Sequence, residues 1–156
     1  MKPKVGDMAP DFTAEVAGGE YGESSSISLS DLRGSRVVLV FYPKDQTPGC
    51  TTQACALRDG WGKLPGEVKV FGVSIDDLKS HRKFIEKQSL PYPLISDPDK
   101  EIVNRFGVWV EKSMYGKTYM GTERSTFLIG ADGRIEAVLE KVAPKKHLEQ
   151  LLDALG

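Results

Sequence analysis

Apolar positions along the chain follow two alternating rhythms. Continuous runs occur at "RVVLVFY" (36–42) and "VKVFGVSI" (68–75), the pattern of strands buried on both faces of a parallel sheet. Between them, residues from about Cys50 to Leu64 carry apolar side chains at helical spacing. A helix joining two such strands predicts a right-handed βαβ unit. A second helix is predicted over Leu78–Gln88, a short strand at "YPLIS" (92–96), and a third helix near Lys100–Phe106. The "SDPD" turn precedes that third helix, with Asp97 placed to cap it and Pro98 suited to a first helical position.

Farther on, "STFLIGADGRIEAVLE" (125–140) holds two strand-like runs around Asp132-Gly133, a hairpin signal that makes this pair antiparallel. From Pro144 onward, Leu148, Leu151, Leu152 and Leu155 share one helical face, which should cover the sheet. The polar stretch "GGEYGESSS" (18–26) reads as an exposed hairpin tip. No repeat and no linker interrupts the pattern. The expectation is a single domain over 1–156 with an α/β, thioredoxin-like fold, a central mixed β-sheet flanked by helices on both faces.

Composition narrows the function. With 156 residues and 40% hydrophobic content, the chain can bury a sizeable core without staples. Lys plus Arg number 21 and Asp plus Glu 22, a formal net charge of -1, which gives no electrostatic case for nucleic acid or an anionic membrane. No apolar run approaches the length of about 18 residues that a membrane helix needs. The opening "MKPKVGDMAP" lacks a signal-peptide core, so a cytoplasmic location is expected. In that compartment a cysteine pair is more often catalytic or metal-binding than structural.

Both cysteines lie in "FYPKDQTPGCTTQAC" (41–55). A zinc-type site needs four protein ligands, or three and an open position, whereas the chain has only His81 and His147 to add, both in predicted helices far from the cysteines. Those histidines read as exposed helix positions, and no metal or cofactor is expected. A static staple between Cys50 and Cys55 meets a geometric obstacle. Five residues of regular helix separate their Cα atoms by more than the roughly 7 Å limit for a disulfide. Closing the bond requires the helix start to unwind, which fits a pair that opens and closes. At about 100° per residue, Cys50 shares a face with Ala54, Leu57 and Trp61, whereas Cys55 points about 140° away, outward. Cys50 also follows Pro48-Gly49 at a helix start, beyond the end of a parallel strand. Free amides there favour a thiolate, and α/β proteins place their sites there. The plainer alternative is that Cys50 is a small core residue. Tyr42 and Trp109, beside apolar runs, read as core aromatics.

The stretch "YPKDQTPGCTTQAC" resembles the peroxiredoxins, with Pro43, Thr47 and Cys50 matching their signature. A second cysteine five positions on is similar to the peroxiredoxin Q group, also called bacterioferritin comigratory protein. The likeness continues through "GDMAPDF" (6–12), "LISDPDKEIVNRFGVW" (94–109) and "ERSTFLIGADGRI" (123–135), covering nearly the whole chain. The resemblance implies that Cys50 is the peroxidatic cysteine, whose thiolate attacks a hydroperoxide to give a sulfenic acid and water or an alcohol. It further implies that Thr47 holds the peroxide, that Pro43 shields the site from water, and that the Arg124 guanidinium faces the thiolate. Cys55 would be the resolving cysteine of an intrasubunit disulfide, reduced by a thioredoxin-type donor, in a monomer. Where many members carry Glu, this chain has Gln53, which can hydrogen-bond a guanidinium but cannot balance its charge.

Two rival functions differ in their needs. A disulfide reductase of the thioredoxin class would use Cys-x-x-Cys, which is absent from the sequence. A redox-gated binding or chaperone protein would leave Pro43, Thr47 and Arg124 without a purpose.

Overall fold

A computed structural model describes residues 2–156. Strand β3 (Val37–Phe41) is buried along its length, with Val38 and Val40 packing on one face and Val37, Leu39 and Phe41 on the other. Through α1 (Pro48–Asp59) it leads to β4 (Lys69–Ser74), and the two strands pair in parallel, as the two apolar runs predict. A second crossover through α2 (Leu78–Gln88) places β5 (Leu94–Ser96) parallel to β4. On the other side β3 pairs antiparallel with β8 (Ser125–Ile129), which turns at Gly133 into antiparallel β9 (Ile135–Leu139). Strands β1 (Thr13–Ala17) and β2 (Ser25–Ser28) complete a seven-stranded sheet ordered β2-β1-β5-β4-β3-β8-β9.

The period-2 alternation of the central strands divides the core in two. On one face lie α1, α2 and α4 (His147–Leu155), contributing Leu57, Phe84, Leu151 and Leu155. On the other, α3 (Glu101–Arg105) and the chain beside it bring Val103 and Phe106 against Phe12, Phe41 and Phe127. The mixed sheet with helices on both faces matches the sequence expectation. Among the described residues no helix is long and apolar enough to cross a membrane.

Several boundaries differ from the sequence pattern. Helix α1 stops at Asp59 rather than continuing to Leu64 because Gly60, a poor helix former, follows as its cap; a Cβ there would also lie 2.4 Å from Leu148 Cδ2 of α4. A 3-10 turn over Trp61–Lys63 follows. Helix α3 begins at Glu101, with Lys100 before it in the left-handed region (φ 62°), so Pro98 belongs to the turn. Asp97 does cap that helix, accepting from the amides of Ile102 and Val103 at 3.1 and 2.9 Å. The 18–26 stretch joins β1 to β2 as a hairpin tip and contains a 3-10 turn at Gly19–Tyr21. The hairpin of β6 (Trp109–Met114) and β7 (Lys117–Thr122) was not predicted. Most of it is exposed, so no core imposes an apolar alternation on it.

Candidate active site

The loop Tyr42–Thr47 carries the chain from the carboxyl end of β3 into α1. Pro48 fits the first helical position because its missing N–H is not needed there. The first intrahelical bond runs from Thr51 N to Thr47 O at 2.8 Å. The amides of Gly49 and Cys50 precede it and remain at the open helix start. Cys50 is 2% exposed and shares its buried face with Ala54 and Leu57, as the helical wheel predicts. Both cysteines are free thiols.

Arg124 arrives from the far end of the chain. Pairing of Ser125 with Phe41 sets it beside the end of β3, and the Val142 amide donates to its carbonyl at 2.8 Å. Its Nη1 donates to Cys50 Sγ at 3.4 Å and to Gln53 Oε1 at 2.6 Å. A guanidinium is thereby aimed at a thiol 74 positions away in sequence. Gly49 makes room for it, since a Cβ there would lie 3.1 Å from Arg124 Nη2. Thr47 is half-buried, and its hydroxyl donates to the Lys44 carbonyl at 2.8 Å. That bond leaves the oxygen lone pairs to accept from a peroxide O–H. Pro43 is half-buried at the head of the same loop.

Cys55 does not point into solvent, as the wheel suggested. It is half-buried, and its Sγ donates to Gln88 Oε1 at 3.2 Å because the end of α2 lies against this side of α1. Arg58 Nη1 donates to the Gln88 carbonyl at 2.7 Å. Nearby, Trp61 stacks on Tyr92 with ring centroids 5.6 Å apart. Burial, and next the neighbouring Cys55, push the Tyr92 hydroxyl well above its ordinary pKa.

Both histidines are wholly buried, contrary to the expectation of exposed positions. His81 Nδ1 bonds to Asp45 and Nε2 to the Ile95 carbonyl. His147 Nε2 meets Thr126 Oγ1 at 2.8 Å, and its Nδ1 has no partner among the described residues. Burial, and then the charge of Arg124, lower the His147 pKa to about 4. The signal for His147 lay in its spacing, at four and eight positions from Leu151 and Leu155 on the apolar stripe. Tyr42 is core, as read, and its hydroxyl also bonds to Asp45. Trp109 is half-buried against the opposite core, under the Lys100 ammonium. A second cation, Lys112 of β6, is half-buried near Arg124, and burial first, then that charge, hold its pKa below the usual lysine value. Nothing in the sequence around Lys112 marked it.

The chain is similar to known proteins in both sequence and fold. The AhpC/TSA family pattern matches residues 5–138. The putative peroxiredoxin bcp of Coxiella burnetii is 44% identical over 99% of this chain and 100% of its own length. The peroxiredoxin Bcp of Escherichia coli is also 44% identical, over 99% and 97%. Among solved structures, a mutant of Xylella fastidiosa PrxQ superposes with a TM-score of 0.84 at 34% identity, covering 99% of this chain and 96% of that one. A bacterioferritin comigratory protein of Xanthomonas campestris, described for its alkyl peroxide reduction, gives 0.82 at 36% identity over 92% and 89%. The thioredoxin-like fold is thus shared along with the sequence, and the chain belongs to the AhpC/TSA family as a thiol peroxidase of the peroxiredoxin Q, or bacterioferritin comigratory protein, group.

Proposed function

We propose that Cys50 is the peroxidatic cysteine and Cys55 the resolving one, in a single domain over residues 1–156. The observation that carries this reading is the Arg124 guanidinium, held by Gln53 and donating to the Cys50 sulfur at a helix start. The Cys50 thiolate attacks one oxygen of hydrogen peroxide or an organic hydroperoxide. An S–O bond forms, the O–O bond breaks, and the leaving oxygen takes a proton to depart as water or alcohol. Arg124 and the helix-start amides donate to the peroxide oxygens, while Thr47 accepts from the peroxide hydroxyl and Pro43 shields the site from water.

Ionisation alone is a minor part of such catalysis. An ordinary thiol is already about 3% ionised at pH 7, so full ionisation gains at most about 30-fold. Charge also moves onto the leaving oxygen as the O–O bond stretches. Donors that meet that charge lower the barrier itself. In the second half-reaction the first turns of α1 open, Cys55 attacks the Cys50 sulfenic sulfur, and a disulfide forms with loss of water. A thioredoxin-type dithiol then reduces the disulfide. The couple lies within one chain, which supports a monomer; the near-neutral charge supports an enzyme without nucleic-acid or anionic-membrane partners, and a redox-active rather than structural cysteine pair fits a cytoplasmic location.

Cys50→Ser is expected to abolish peroxide turnover. Cys55→Ser should consume about one equivalent of peroxide and then stall with the physiological donor. Intact mass spectrometry under denaturing conditions should show a loss of about 2 Da in oxidised wild type and an oxygen adduct on Cys50 in Cys55→Ser. Full activity in Cys50→Ser would overturn the assignment.

A further inference from the structure

Beneath the loop that carries Thr47 lies a buried polar cluster that the peroxidase chemistry does not use. Asp45 is 5% exposed, and its carboxylate accepts from the Tyr42 hydroxyl at 2.5 Å, Ser80 Oγ at 2.8 Å and His81 Nδ1 at 2.7 Å. Its backbone amide donates to Asp76 Oδ2 at 2.8 Å, which also accepts from Ser74 Oγ at 2.6 Å. On the far side of the ring, His81 Nε2 faces the Ile95 carbonyl at 2.9 Å. A carbonyl can only accept, so Nε2 carries a hydrogen, and a second proton must sit between Nδ1 and the carboxylate. The Asp45, Asp76 and His81 ligand atoms lie within 4.8 Å of one another, but each already has a hydrogen-bond partner. The cluster is complete without a cation.

The cluster ties the loop before α1 to α2, and both ends of α2 contact the chain around α1. At its start, Ser80 and His81 grip Asp45. At its finish, Gln88 holds Arg58 through its carbonyl and Cys55 through its side chain. Between these points lie Thr47, Cys50 and the first turns of α1. Gln46, directly after Asp45, sits in the left-handed region at φ 62°. The chain bends there, next to a fixed residue.

We propose that Asp45 and His81 are positioning residues, holding Thr47 and the first turn of α1 against Arg124 in the reduced enzyme and providing the fixed point from which that turn swings open. This rests on the roles assigned to Cys50 and Cys55 above. The clamp favours the closed helix, in which Cys50 meets peroxide, over the open one, in which Cys55 reaches the Cys50 sulfur. Loosening it should move the two half-reactions in opposite directions.

The test is a single turnover of the prereduced enzyme with hydrogen peroxide, followed by rapid mixing and tryptophan fluorescence, with Trp61 on Tyr92 as reporter. In His81→Gln the rate of Cys50 oxidation should fall about tenfold, and disulfide closure should accelerate by a similar factor. Tyr42→Phe and Ser80→Ala each remove one bond to Asp45 and should show the same opposed pattern at about threefold. They decide the matter if His81→Gln does not fold. Ile135→Val trims the core on the opposite face of the sheet and should move neither rate, which separates positioning from general loss of stability. Unchanged rates in Tyr42→Phe and Ser80→Ala, or two rates falling together, would overturn the clamp. Peroxide turnover by Cys50→Ser would instead overturn the functional reading on which it rests.

Discussion

His81 and His147 are both wholly buried, on two helices packed against the same face of the sheet, yet they are held in opposite ways. His81 lies between a carboxylate and a carbonyl, both acceptors, so protons fill its two hydrogen bonds. His147 has one hydroxyl partner and lies near the Arg124 guanidinium, and its pKa falls to about 4. Burial alone therefore does not decide what a histidine does in this protein. The partners differ: two acceptors flank the His81 ring, whereas His147 has a single hydroxyl, and burial first, then Arg124, lowers its pKa. One ring bonds to Asp45 in the loop before Cys50, and the other remains uncharged near Arg124, which donates to the Cys50 sulfur.

Removing one partner of the clamp should have the largest effect. His81→Leu strands the Asp45 carboxylate in the core and should cost about 3–5 kcal/mol in urea unfolding. Replacing both partners, as Asp45→Asn with His81→Leu, should recover part of that loss, because no lone buried charge remains. A pH series sharpens the contrast from the other side. The folded His147 pKa is about 4 and the ordinary histidine value 6.5, so between these values the unfolded chain binds the extra proton. Stability therefore falls with acidification through that window. This histidine should account for about 2 kcal/mol of loss between pH 7 and pH 5, and His147→Leu should remove that part of the slope. At pH 7 the same substitution forfeits one hydrogen bond to Thr126 and should cost about 1 kcal/mol. The smallest effect is expected from Gln53→Glu. A carboxylate bonded to Arg124 would offset the guanidinium's field and raise the His147 pKa slightly, read from its ring proton shifts.

The apolar runs of β3 and β4, the Asp-Gly turn between β8 and β9, and the leucines of α4 were legible because burial on a sheet repeats every two or about four residues. The same logic placed Cys50 inward. Resemblance singled out Arg124, and the register of β3 with β8 shows how a residue so distant in sequence reaches the sulfur. What escaped was polar and non-local. His81 pairs with a residue 36 positions away and Cys55 with one 33 positions away, and no local period encodes either contact. The β6–β7 hairpin escaped because its side chains mostly face water, where polar and apolar residues are tolerated alike.

Helix α1 opens with Pro48, Gly49, Cys50, Thr51 and Thr52, a turn built from residues of modest helix propensity. Thr52 is exposed, so replacing it with Ala would strengthen the turn by about 0.5 kcal/mol without touching the reacting groups. A stiffer turn opens less often, by about twofold. On the roles proposed for Cys50 and Cys55, the sulfenic acid would then wait longer for its partner, and a second peroxide molecule would have more time to drive it to the irreversible sulfinic state. On that reading, the dose of oxidant the enzyme survives would depend on a surface threonine outside the proposed set of reacting groups.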